Sequence, residues 1–384
     1  MSLVPAEVEL NEDERTLIEA VRDFSRKELL ARDGAWDRGE SSVGDVLGQL
    51  AEMGLLGLLV PQKYGGLGCD YRTYAAILHE IATCSAAAAV TVSVHGLVCG
   101  IVDRFVAEPV RTELLSHWAQ VDHFGAFALS EAGAGSDAAS VKTTATPVDG
   151  GYHLNGEKMW VTNGLSAGWF FVLARVRGAS EGREFCAFMV DGRSPGLSRT
   201  EIKGKMGIRG SETAVIDFAD VFVPQTHLVG KPGEGMRVCL ASLGYGRIGI
   251  AAQATGIGEA CLTEMISYAR QREQFGRPIG TFGAVAGMIA DSVVDLEAAK
   301  ALVWQAASGA DGGGLDRSAT SMAKLYASEA ANRIAYRAVQ VHGGSGYVNE
   351  CRVERLYRDA RITTIYEGTS EIQRMVIARE LGEA

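Results

Sequence analysis

The sequence has no basic tail and no surplus of positive charge. Its 37 Lys and Arg stand against 47 Asp and Glu, a formal net charge of −10. That balance argues against a nucleic-acid binder, while local arginines leave an anionic ligand open. The seven cysteines, at 69, 84, 99, 186, 239, 261 and 351, form no Cys-x-x-Cys or Cys/His ligand spacing. Neither a disulfide framework nor a metal site is expected, and reduced thiols in the cytoplasm are. The chain opens on no positively charged segment followed by an apolar core, so no secretory signal is expected. The uncharged run Ile81 to Val102 is built of Ala, Ser, Thr, Gly and Val around His95. Small, weakly hydrophobic residues predict a buried bundle helix there, with no membrane span. No βαβ alternation is visible either, which speaks against a Rossmann-type site. The nearest glycine cluster, Gly133-Ala134-Gly135-Ser136-Asp137, follows a strand but opens no amphipathic helix.

What is present reads as helices, then strands, then helices. A length of 384 residues suggests two or three domains, and 47% apolar with 22% charged residues describes an ordinary soluble protein. Asn11 precedes a helix with Leu17, Ile18, Val21, Phe24 and Leu29 at helical spacing. Val46 to Met53 and Tyr71 to Val102 continue the helical pattern around the glycine-rich loop Pro61 to Cys69. Short segments of strand composition follow, at Phe127–Leu129, Val141–Thr146, Tyr152–Leu154, Lys158–Val161, Trp169–Ala174, Phe185–Val190 and Thr213–Phe222. Asn155-Gly156 predicts a hairpin turn between two of them. Helical periodicity returns over 236–271, 282–308 and 316–342. The expected class is α+β, with a helical domain at 1–120, a β domain at 121–228 and a helical domain at 229–384.

Five stretches carry chemistry. Phe127 to Asp137 offers hydroxyls and open backbone amides, suited to a flavin edge or a phosphate, or forms only a tight loop. In Met159-Trp160-Val161-Thr162-Asn163, alternation puts Trp160 and Thr162 on one strand face, either to stack on a ring or to sit in the core. Arg270 to Gly276 and Gln340 to Tyr347 each end a helix and read equally as dipole-complementing and C-capping residues. Near the C-terminus, Ser370 and Gln373 have capping-box spacing and predict a helix with Ile372, Met375 and Val376 on its apolar face. Glu367-Gly368-Thr369 then form the turn before it. A carboxylate held there beside Tyr366 either complements the helix dipole or, if desolvated, has its pKa raised toward the range of a general base.

Together these stretches, with the closing YRDARITTIYEGTSEIQR, resemble the acyl-CoA dehydrogenase family over essentially the whole chain. GRIGIAAQATGIG and HGGSGYVNE are most similar to its short-chain, butyryl-CoA-type members. The resemblance implies an N-terminal helical domain, a middle β-barrel-like domain and a C-terminal four-helix bundle. It also implies one FAD per subunit, a homotetramer built as a pair of dimers, and an electron-transferring flavoprotein as acceptor. By motif matching, Phe127, Leu129, Ser130, Ser136, Trp160 and Thr162 would contact the flavin of their own subunit. Arg272, Gln274, Phe275, Gln340, Gly343 and Gly344 would reach a neighbour's FAD, and Thr369 and Glu371 would touch the cofactor as well. Glu367 matches the base that removes the proton α to a thioester. Ser136, Tyr245, Arg247, Gly368 and Arg379 match positions that approach the acyl-CoA. Two departures stand out: Gly244 replaces an Asp common three residues before Arg247, and Gly283 replaces a Gln common after Phe282. The expected reaction is FAD-dependent α,β-dehydrogenation of a short or modestly branched acyl-CoA. The alternatives are a dehydrogenase of acyl groups tethered to a carrier protein and a non-catalytic flavin-binding scaffold. An intact YEGTS turn speaks against the scaffold.

Overall fold

Asn11 starts the fold by accepting the Glu14 N–H while the Glu14 carboxylate takes the Asn11 N–H, a complete capping box. The structure, a computed structural model, describes Leu3 and residues 11–119 and 123–382. The expected domain boundary at 120/121 lies outside the described residues. Helix α1 (Glu12–Phe24) passes through a π-helical turn into α2 (Leu30–Asp37), and a 3₁₀ turn at Val43–Val46 leads to α3 (Leu47–Glu52). The pattern predicted as one helix from Tyr71 is two, α4 (Tyr71–Cys84) and α5 (Ala86–Phe105). Ser85 breaks them in an extended conformation and caps α5 through the Ala88 N–H. Helix α5 is long and apolar enough to cross a membrane, yet its surface is used inside the protein, against α4, the first strand and a long C-terminal helix. Its small residues allow that close packing. Helix α6 (Val110–Trp118), unforeseen from the sequence, completes the first helical layer.

Strands β1 (Phe124–Ala128), β2 (Thr144–Val148), β3 (Gly151–Thr162), β4 (Ala167–Val176), β5 (Phe185–Asp191), β6 (Leu197–Glu201), β7 (Thr213–Pro224) and β8 (Leu228–Val229) form one eight-stranded sheet. The order is β6-β7-β3-β2-β4-β5-β8, with β1 alongside β4. The β1–β4 and β2–β4 pairs are parallel and the rest antiparallel. The expected turn at Asn155-Gly156 is not one. The β2–β3 turn is Asp149-Gly150, with Gly150 at φ +74°. Asn155-Gly156 instead sits inside β3, where its register against β7 slips. A Cβ on Gly156 would lie 2.7 Å from the Thr143 Cα, so glycine is there for a bulge with close backbone approach.

The second helical layer comprises α7 (Gly235–Gln271), α8 (Gly283–Asp311), α9 (Arg317–His342), α10 (Arg352–Ile362) and α11 (Ser370–Glu380). A small hairpin of β9 (Glu273–Gln274) and β10 (Arg277–Pro278) follows α7. Alanines, glycines and β-branched residues line the shared faces of α4, α5, α7 and α9, so these helices pack closely. Their common seam delivers the site.

Candidate active site

The turn between α10 and α11 is held by backbone and side-chain bonds before any ligand is considered. Its Tyr366 N–H donates to Ile362 O (3.2 Å) and its Ser370 N–H to Thr364 O (3.0 Å). Inside this loop Glu367 and Gly368 both have positive φ, +53° and +89°. Glycine adopts that region freely, whereas glutamate does so at a cost of about 1–2 kcal/mol, which the surroundings must offset. They do so by capturing both carbonyls. Gln373 Nε2 donates to Glu367 O (3.0 Å) and Gly368 O (2.9 Å), and Lys324 Nζ donates to Gly368 O (2.7 Å). The expected Ser370/Gln373 capping box is therefore replaced. Thr369 is the N-cap of α11, and Ser370 is its first residue, bonded to Glu329 (2.8 Å). The buried face of α11 is accordingly polar, Ser370 and Gln373, while Met375 on its expected apolar face is 54% exposed.

The Glu367 carboxylate points toward α7. Its Oε2 is shut from water and has no hydrogen-bond partner among the described residues. A Cβ on Gly246 would lie 2.8 Å from that oxygen, so the bare glycine makes room for the carboxylate. Burial pushes the Glu367 pKa up from 4.5 to about 7, against the opposing pull of the Arg247 and Lys324 cations. Burial in turn lowers the Lys324 pKa to about 8 and depresses that of Arg247. Arg247 is fixed by Ser321 Oγ at 3.0 Å. Tyr366 donates its phenol to Gln253 Oε1, and Gln253 donates to Ala86 O (2.7 Å), so the residue before the base is anchored to the start of α5. The Glu367 backbone N–H donates to no group among the described residues. A half-neutral carboxyl and a free amide share one turn. Such a pair can take a proton from a carbon acid and hold the oxygen charge that develops.

Beyond Gly246 a narrow recess runs between α4, α5 and α7, floored by Tyr71, Tyr74 and Tyr245. It has room for about one water molecule. Gly244 is not among the residues that line it; Leu315, from the α8–α9 loop, already fills the space a side chain there would take.

The other residues singled out in the sequence fall into separate groups. On the sheet, the Met159 N–H donates to Ser130 O (2.8 Å) and ties β3 to the loop after β1. Buried Lys158 bonds Leu129 O (3.0 Å) and Glu131 (2.8 Å) beneath that loop. Trp160, at φ +64°, is 57% exposed and not core, and Thr162 is half-buried beyond buried Val161. Phe127 stacks on Phe171 (5.0 Å, 5°), Leu129 is buried, and Ser136 is exposed. Arg272, Gln274, Gln340, Gly343 and Gly344 are all exposed, and Phe275 is 93% so at φ +50°. These six sit on the outer ends of α7 and α9 and on the β9–β10 hairpin. Exposed Glu371 is in the first turn of α11, its pKa lowered by backbone N–H bonding and Thr369. Arg379 lies in the last turn, roughly 13 Å along the axis from the base's turn.

Three domain profiles cover the chain in order: acyl-CoA dehydrogenase N-terminal domain at 11–122, middle domain at 126–221 and C-terminal domain at 233–382. The chain belongs to the acyl-CoA dehydrogenase family. It is 40% identical to the human mitochondrial short-chain specific acyl-CoA dehydrogenase over 97% of this chain and 91% of that one. Butyryl-CoA dehydrogenase from Megasphaera elsdenii superposes with a TM-score of 0.94, at 34% identity, covering 98% of this chain and 99% of that one. An acyl-CoA dehydrogenase from Bacillus anthracis complexed with FAD superposes with a TM-score of 0.92, at 28% identity, covering 99% and 69%.

This acyl-CoA dehydrogenase fold fits a flavin on its own evidence. Exposed Trp160 and half-buried Thr162 lie on β3, which the Met159–Ser130 bond ties to the loop after β1, and in that loop no described residue lies within 4 Å of where a Cβ on Gly133 or Gly135 would be. Lys324, Gln373, Gln253 and Gly246 were missed in the sequence. Lys324 carried a signal: a lone lysine on a face of Thr320, Ser321, Ala323, Ala327 and Ala331, all buried. Gly246 carried none.

Proposed function

We propose that this enzyme is an FAD-dependent dehydrogenase that introduces an α,β double bond into a short acyl-CoA thioester. The observation that carries the reading is Glu367. It is a carboxyl of pKa about 7 on a strained, doubly pinned turn, with one unpartnered oxygen and a free backbone N–H beside it. Glu367 removes the α proton, and its own amide donates to the thioester oxygen as negative charge builds there. When bound, FAD supplies the acceptor for the hydride leaving the β carbon. Phe127, Leu129, Ser130, Ser136, Trp160 and Thr162 hold it from the same subunit, with Thr369 and Glu371 following the base's turn. The narrow recess behind Gly246 supports a short acyl chain, and Ser136, Tyr245, Arg247, Gly368 and Arg379 receive the rest of the thioester.

The outward-facing Arg272, Gln274, Phe275, Gln340, Gly343 and Gly344 support a homotetramer in which each copy completes a neighbour's FAD site. An electron-transferring flavoprotein then reoxidises the flavin. Seven free cysteines support a reducing, cytoplasmic location.

The test is anaerobic bleaching of the flavin by acyl-CoA thioesters of two to eight carbons, repeated with Glu367→Gln. Butyryl-CoA should bleach the wild type. The variant should keep its flavin and fold but lose at least about 10²-fold in turnover. A variant that turns over like the wild type would place the base elsewhere.

A further inference from the structure

We propose that Asp359 is a positioning residue: by holding Ile208, it sets the place of the Glu367 turn relative to the flavin edge of the sheet. The proposal rests on the dehydrogenase reading, which gives the α proton to Glu367 and the flavin to β3. Asp359 lies in α10, three residues before Ile362, whose carbonyl receives the Tyr366 N–H (3.2 Å) of the base's turn. Its carboxylate accepts the Ile208 N–H, the one hydrogen bond it makes among the described residues.

Ile208 belongs to the loop 202–212 between β6 and β7, which is built into both sides of the site. On the sheet side, Glu212 O accepts the Asn163 N–H (3.1 Å), and Thr213 pairs with Thr162 on β3. On the helix side, Met206 O accepts from Arg358 Nη1 (2.9 Å). A Cβ on Gly207 would lie 2.4 Å from Arg358 O, so loop and helix backbones touch. Between these ties Ile208 stands at φ +43°, a region that a β-branched residue occupies only under constraint. Asp359 takes its N–H, and Lys205 Nζ donates to its carbonyl (3.1 Å). Its side chain is buried in one apolar cluster with Val90 of α5 and with Val353 and Leu356 of α10. The loop thus drives a peg from the sheet into the helices that carry the base.

Asp359 is destabilised where it sits. It is 3% exposed, and burial beside Asp33 and Asp37 pushes its pKa up. The neighbouring arginines are bonded elsewhere, Arg355 to Asp33 (2.7 Å) and Arg358 to Asp37 (2.6 Å). What the carboxylate holds is the strained amide. A thioester oxygen bound at the Glu367 N–H travels with that turn, and the α proton travels with it. The β carbon must also meet a hydride acceptor carried by β3. Freeing Ile208 lets turn and sheet shift against each other, so proton removal survives while hydride loss slows.

The experiment follows butyryl-CoA on the holoenzyme in deuterium oxide, without an electron acceptor. Glu367 can take the α proton and return a deuteron, which leaves the oxidation state of thioester and FAD unchanged. Bleaching needs in addition that the β hydrogen leave with its electron pair to FAD. Asp359→Ala should raise the ratio of α exchange to bleaching at least about tenfold, a scale set by small misplacements of reacting groups. Asp359→Asn, which keeps an acceptor for the Ile208 N–H, should restore the wild-type ratio. Ile208→Gly keeps the N–H but withdraws the peg; it should act like Asp359→Ala and carries the test if that variant does not fold. With no thioester present, backbone amide exchange should quicken in both 202–212 and 363–370 of the alanine variant. An unmoved ratio overturns the proposal, as does exchange that quickens in 202–212 alone, and either leaves the dehydrogenase reading standing. Failure of every short acyl-CoA to bleach the wild-type flavin overturns both.

Discussion

Glu367 is costly to the fold in the form that catalysis needs. Its carboxyl titrates at about 7 in the folded chain against 4.5 ordinarily, so the native state binds the proton more tightly than the unfolded chain. The stabilising share of this group is complete below about 4.5 and is lost as the pH rises through about 7. At about 1.4 kcal/mol per pH unit the full gap corresponds to about 3 kcal/mol, so Glu367→Gln should melt higher than wild type at pH 8.5 and show little difference at pH 4.5. Differential melting at the two pH values checks this, and an equal offset at both would mean that the carboxyl is not desolvated. Lys324 acts on the same proton from the other side of the turn. Removing its charge with Lys324→Met should raise the acid limb of the kcat/KM profile by on the order of one pH unit, the scale of one nearby opposite charge. Lys324→Arg should hold the limb in place. Because Lys324 itself titrates at about 8, the observed limb belongs to the pair. If kcat falls without any movement of the limb, Lys324 only props the Gly368 carbonyl.

At the scale of elements, α11 shows what the sequence could and could not say. Its position and the turn before it were legible, because Thr369-Ser370 before an amphipathic run signals a helix start. Which hydroxyl caps was not, since the Ser370-x-x-Gln373 pattern favours Ser370, whereas tertiary packing brings Glu329 to Ser370 and leaves the Ile372 N–H to Thr369. Nor could spacing show that the helix turns Gln373 inward to hold two carbonyls. The Asn155-Gly156 error has a similar origin, because the dipeptide that favours a hairpin also suits a bulge against a partner strand far off in sequence. Gln373→Leu keeps the approximate volume and removes both bonds. It should lower stability by about 1–3 kcal/mol, as two carbonyls lose a donor, and lower kcat by about 10- to 100-fold as the base shifts. Denaturation midpoints and kcat decide it; a stability loss with unchanged kcat would assign the base's placement to Lys324 alone.

At the scale of the whole molecule, the proposed completion of each FAD site by a second copy is a matter of assembly. The order of helical and sheet regions was legible because composition and hydrophobic period change sharply at each junction, and the quoted motifs fixed the family. The resemblance also sorted residues into those of one subunit and those offered to another, and the exposed set lies away from the Glu367 turn. Phe275 shows the logic: a phenylalanine 93% exposed, at φ +50° on a two-stranded hairpin, costs strain and hydration in an isolated chain. Burying such a ring contributes roughly 1.5–3 kcal/mol, enough to offset both when a second copy covers it. Arg272, one residue before the same hairpin, adds a cation suited to a phosphate. If the hairpin closes a neighbour's FAD site, cofactor and subunit binding are linked, and weakening one weakens the other. Arg272→Ala combined with Phe275→Ala should therefore shift the protein toward smaller assemblies, and added FAD should partly restore the larger one. Sedimentation velocity with and without excess FAD, read beside the flavin-to-protein absorbance ratio, measures both sides of the linkage. A double variant that stays tetrameric and fully flavinylated would show that each FAD site is complete within one subunit, and that Phe275 is exposed for another reason.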